Sequence, residues 1–66
     1  MAPSDTRTQL LDAAERLFAE RGFNGTSVRA ITTLAGANLA AVGYHFGSKA
    51  ELLAAVVRRE IGRAHV

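Results

Sequence analysis

An all-α fold of four short helices is what this 66-residue chain predicts. Three observations carry it. Residues 26 to 49 read as two short helices broken by Gly36, with a third opening at Ser48. Apolar residues on either side of that stretch recur at the three- and four-residue spacing of a helix. Capping residues stand where each stripe begins, and glycines where it ends.

The first helix runs from about Thr6 to Arg21. Thr6 with Gln9 has the spacing of a capping box, and Ser4 and Asp5 are competing caps. Leu10, Ala14, Leu17, Phe18 and Arg21 share one stripe, and residues 1–5 read as a flexible tail. Gly22 ends the helix as a left-handed cap, with Phe23 folding back onto Phe18. Asn24-Gly25 is a hairpin signal, but neither flank alternates, so it reads as a turn between helices. Thr26 or Ser27 caps the second helix, whose inward residues are Val28, Ile31 and Ala35. Gly36 breaks it, and Asn38 caps a third helix over about Leu39 to Phe46, with Val42 and Phe46 facing the core. After Gly47, Ser48-Lys49-Ala50-Glu51 is a second capping box. The fourth helix carries Leu52, Leu53, Val56, Val57 and Ile61, a stripe long enough to want a further partner.

Length allows one small domain of modest stability, since a chain of this size buries only about 60% of its unfolded surface. There is no Cys, which excludes disulfides and thiolate metal sites and suits the cytoplasm. No apolar run approaches a membrane span, and the N-terminus lacks a signal-peptide core. No cofactor is implied: phosphate-binding glycine loops, nucleophile elbows and zinc-hydrolase helices are missing, so an enzyme is not expected. A metal role for His45 is not expected either, because His65 is the only other histidine.

Charge placement says more than the net charge of +2. Between Glu20 and Glu51 there is no acidic residue, while Arg29, His45 and Lys49 supply positive or titratable groups. Gly36 and Val42 stand six apart, the first allowing a sharp turn and the second able to plug the angle between two helices. That is the spacing of a helix-turn-helix, here about residues 27–46, within a homeodomain-like three-helix core plus the start of a fourth helix. On spacing alone a small helical bundle with a tight corner fits as well. Carboxylates are repelled by phosphates, so their exclusion favours duplex DNA as the partner.

The chain resembles the DNA-binding domain of the TetR family of bacterial transcriptional regulators. The likeness runs from about Thr6 to Arg59. It rests on Leu11-Asp12-Ala13-Ala14, Leu17-Phe18, Arg21-Gly22-Phe23, Thr26-Ser27-Val28-Arg29, Ala35-Gly36, Tyr44-His45-Phe46 and Ser48-Lys49 with Glu51-Leu52-Leu53. Thr32 departs from the Ala usual at the helix crossing, and Gly43 stands where a larger residue often faces DNA. The resemblance implies a dimer that occludes a palindromic operator through two reading helices, released by a small-molecule inducer. Dimerisation and inducer binding would belong to a C-terminal domain absent from residues 6–66, as in a fragment or a truncated product.

Residue roles can be argued on that basis. Lys49 in the first turn of the fourth helix reads as a phosphate clamp. Tyr44 can donate to a phosphate and press on a sugar or thymine, or it is a half-buried packing residue. His45 contacts a phosphate or bonds within the fold. Thr26 and Ser27 cap the second helix and can hold a phosphate at the same N-terminus. Arg29 reaches a guanine edge or the backbone, as its counterpart in the family often does. Base-edge candidates are Asn38, Leu39, Ala40 and Ala41, of which the last three offer only apolar surface for thymine methyls. The rival class is a protein-interaction module that docks the fourth helix on a partner helix.

Overall fold

The segment Thr6–Arg21 contains neither Gly nor Pro and is rich in strong helix formers, and it forms α1. The computed structural model describes residues 5–64, with the backbone alone for Arg63 and Ala64. It continues with α2 (Val28–Ala35), α3 (Ala41–His45) and α4 (Lys49–Ala64), and no strand occurs among the described residues. The tail residues before Asp5, with the competing cap Ser4, and His65 lie outside the described residues.

Asp5, rather than Thr6, caps α1: its carboxylate accepts the Thr8 N–H at 2.7 Å. The central position of α1 decides its buried face. It packs against α2, α4 and α3, so Leu11 and Ala13 are buried beside Leu10, Ala14 and Leu17, a wider stripe than periodicity alone predicts. Phe18 is half-buried, and Arg21, expected on the stripe, is exposed. Ile31, Val42, Leu52, Ala55 and Val56 complete the core from the other three helices. Val28, Ala35 and Phe46 pack against its edge.

Gly22 ends α1 with φ 77° and ψ 171°, so it is not the left-handed helical cap expected but an extended, glycine-only conformation that carries the chain away from the helix. Phe23 does return onto Phe18, with ring centroids 5.8 Å apart. Gly36 closes α2 with φ 72° and ψ 29°. There the Ala37 N–H donates to the Thr32 carbonyl at 2.9 Å and the Gly36 N–H to Thr33 at 3.2 Å, the paired bonds of a Schellman turn.

The helix α3 is shorter than Leu39–Phe46. Asn38 does not cap it directly. Its side-chain Oδ1 accepts the Ala40 N–H at 2.8 Å and its carbonyl accepts the Ala41 N–H at 2.9 Å. This side-chain turn takes up Leu39 and Ala40, which removes them from the helix. At the start of α4, Ser48 Oγ accepts the Glu51 N–H at 3.1 Å, the serine half of the capping box. No described helix is long and apolar enough to cross a membrane.

Candidate nucleic-acid interface

The buried side of α3 is Val42, which fills the angle against α1 and α2. Because α3 is only five residues long, anchoring that one position turns Gly43 and Tyr44 outward. Tyr44 is 85% exposed, which settles its two readings against a packing role. Its ring meets His45 edge-on, with centroids 4.9 Å apart, and His45 in turn lies 6.4 Å from the Phe46 ring. His45 is half-buried within this aromatic row. Ahead of the helix, Asn38, Leu39 and Ala40 are exposed, and Ala41 is half-buried. Asn38, Leu39, Ala40 and Tyr44 are thus exposed along the 38–45 segment, with His45 half-buried among them. A Cβ on Gly43 would meet nothing within 4 Å, so a larger residue has room there.

At α2, Ser27 is the cap: its Oγ accepts the Ala30 N–H at 3.0 Å. Arg29 is exposed and borders a shallow groove shared with Arg16, Glu20, Arg21 and Ser27. Glu20 brings a carboxylate to this groove, where it is paired with Arg16 at 3.2 Å. The stretch free of acids in sequence is therefore not wholly free of them in space. A second acid, Asp5, is close enough to feel His45. The Asp5 carboxyl is held below its ordinary value of 3.8, first by the Thr8 backbone N–H, then by the Thr8 side chain, with smaller help from Arg7 and His45.

Two expected site residues face elsewhere. Thr26 is 1% exposed, and its hydroxyl shares its one proton between the Leu17 carbonyl at 3.1 Å and the Gly22 carbonyl at 2.9 Å. Ser27 and not Thr26 caps α2, and the Thr26 hydroxyl is engaged with carbonyls of the α1 terminus. Lys49 is half-buried, and its ammonium donates to the Phe23 carbonyl at 2.9 Å and the Thr26 carbonyl at 3.0 Å. It also sits 4.1 Å from the Phe23 ring centroid, a cation–π contact. The lysine read as a phosphate clamp thus spends two of its three donors on the α1–α2 loop. Thr32, the departure at the helix crossing, is accommodated by donating its hydroxyl to the Arg29 carbonyl at 3.1 Å.

Sequence reasoning missed Arg7 and Arg59. Arg7 lies 5.1 Å from the Phe46 ring, beside the same end of α3. Arg59 forks between Asp12 and Glu15, each at 2.8 Å. In sequence Asp12 and Glu15 look, like Glu20, like members of the polar surface of an amphipathic helix, and nothing local points to a partner more than forty positions away.

The comparisons with known proteins agree with this architecture. A family model described as bacterial regulatory proteins of the tetR family matches residues 10–56, more than half of the chain. The chain is 36% identical over 61 residues to the HTH-type transcriptional repressor AcnR of Corynebacterium glutamicum, covering 92% of this chain and 32% of that protein. It is 43% identical over 53 residues to the HTH-type transcriptional regulator TtgR of Pseudomonas putida, covering 80% and 25%. It is 44% identical over 55 residues to the HTH-type transcriptional repressor KstR2 of Rhodococcus jostii, covering 83% and 27%. The chain spans a third or less of the length of these relatives, and all of them are named as regulators rather than enzymes. With a helix-turn-helix built on Gly36 and Val42 and a family match spanning all of α2 and α3, the chain belongs to the TetR family of bacterial regulatory proteins.

Proposed function

We propose that this chain is the DNA-reading head of a TetR-type transcriptional repressor, acting in the cytoplasm on duplex DNA. The observation that carries the reading is the outward face of the 38–45 segment. Leu39, in the turn before α3, is 47% exposed and Tyr44, on α3, is 85% exposed; both are large side chains outside the core, and Val42 holds the back of the helix. A short, firmly backed helix with such a face fits the major groove. Two of the relatives are named repressors, which supports that sign of regulation.

Within this reading, the exposure and caps described above support the following roles. Arg29 and Ser27 at the start of α2, with Tyr44 and His45, face phosphates. Asn38, Leu39, Ala40 and Ala41 face base edges. One acceptor site of Asn38 Oδ1 is already used by the Ala40 N–H, so Asn38 reads chiefly as an amide donor to a purine N7 or a thymine O4. Leu39 and the two alanines favour thymine methyls. In the whole regulator, two such heads on a dimer read a palindromic operator, and an inducer bound outside this domain releases them. Docking as a plain protein-interaction module is favoured by none of these observations.

The test is titration of the chain against random duplex DNA at several salt concentrations. A single head should bind in the non-specific range of roughly 10⁻⁴ to 10⁻⁶ M, with affinity falling steeply as salt rises. Binding that is absent at low salt, or indifferent to salt, overturns the reading.

A further inference from the structure

Beside Ser27 and Arg29, the groove between α1 and α2 holds one carboxylate, that of Glu20. We propose that Glu20 opposes the DNA backbone at this groove and that Arg16 shields it, so that the pair sets the strength of sequence-independent binding. This rests on the DNA-binding reading, in which Ser27 and Arg29 face phosphates.

Arg21 and Arg29 give the groove two cations, and neither forms an ion pair among the described residues. Glu20 stands next to Arg21 at the end of α1 and is the single acid lining the groove. Its partner is Arg16 one turn back, whose Nε donates to the carboxylate at 3.2 Å. Both side chains are open to water, 67% and 53% exposed, so the pair holds little of the fold together. The helix does not favour the acid either. Glu20 lies in the last turn of α1, where the carbonyl end of the dipole repels a negative charge. Within the pair the acid follows the base by four residues, the weaker of the two orientations. Stability therefore gives no reason for a carboxylate at this position. An anion seated in the groove does feel it, because a carboxylate on the wall lies within a Debye length, about 8 Å at physiological salt. While the Arg16 guanidinium stays on Glu20, it cancels most of that field. The groove then meets a phosphate with the charge of Arg21 and Arg29 alone.

The test titrates wild type, Glu20→Gln, Arg16→Gln and the double variant with random duplex DNA at several salt concentrations. All four should melt within a few degrees of one another, since only an exposed pair changes. At low salt Glu20→Gln should bind about threefold more tightly and Arg16→Gln about threefold more weakly, the factor for unit charges ~7 Å apart in water. Both differences should fade as salt rises. The double variant should return to wild-type affinity, because acid and shield are removed together. A double variant as weak as Arg16→Gln marks Arg16 as a phosphate contact in its own right and overturns the proposal. Glu20→Gln binding no better than wild type overturns it as well. Asp12→Asn removes a carboxylate from the same helix outside this groove, and it should raise affinity clearly less. An equal rise means that net charge alone governs binding, against the proposal. If wild type binds and no variant alters the affinity, the DNA reading stands and this proposal falls. If wild type does not bind at low salt, both fall.

Discussion

Thr26 shows how a side chain can carry the right chemistry for a ligand and be used for the fold. Its one hydroxyl proton is shared between two carbonyls at the end of α1, one of these bonds being buried. Thr26→Val keeps the shape and removes the donor, so it should lower stability by about 1–3 kcal/mol in urea unfolding. Thr26→Ser, which keeps the hydroxyl, should lose clearly less. Equal losses would mean that the methyl group, and not the bonds, matters. Asp5 gives a pH-dependent counterpart. Its carboxyl titrates below 3.8 when folded, so the charged cap contributes fully above that value. The contribution disappears as pH falls through the lower folded value. Asn caps as well as Asp but does not titrate. In thermal melts from pH 6 to pH 2, the advantage of wild type over Asp5→Asn should therefore shrink on the acid side. A gap that widens there contradicts the assignment.

At the scale of elements, the glycine that closes α2 and the one inside α3 should answer the same substitution with opposite signs. Gly36 lies at φ 72° with nothing within 4 Å of an added Cβ, so the penalty of Gly36→Ala is conformational, about 1–2 kcal/mol. Gly43 sits inside α3 without a positive φ and also has open space around it. There Gly43→Ala should stabilise by about 0.5–1 kcal/mol, because it restricts the unfolded chain and favours helix. Melting both variants checks the pair, and a common sign would show that the α2–α3 turn is not held as described. The existence of each helix was legible because caps, stop glycines and apolar spacing are local signals. The start of α3 was not. Asn38 has the same oxygen for a cap or for a turn, and the turn won by using the Ala40 N–H two residues on.

For the whole molecule, the bonds that join elements are the ones sequence left hidden. The core stripes and the exposed face around Tyr44 follow from periodicity, yet the partners of Lys49 and Arg59 lie 23 to 47 positions away. A lone basic residue looks alike whether it faces a phosphate, a carbonyl or a carboxylate. Arg59 fastens the second half of α4 to α1, with Arg59 itself 21% exposed, Glu15 28% and Asp12 65%. The Asp12 arm is largely in water and contributes little, whereas the Glu15 arm is better shielded. Replacing Arg59 by Met keeps the stem over α1 and removes both arms. The expected loss is about 1 kcal/mol at low salt after allowing for exposure, and less at high salt. Asp12→Asn alone should stay within about 0.5 kcal/mol, as is usual for an exposed pair. Hydrogen exchange locates the effect: amides of α4 beyond Val56 should open in Arg59→Met, while α2 and α3 keep their protection. If protection falls evenly through all four helices instead, Arg59 supports the core as a whole and does not act as a local fastening of α4.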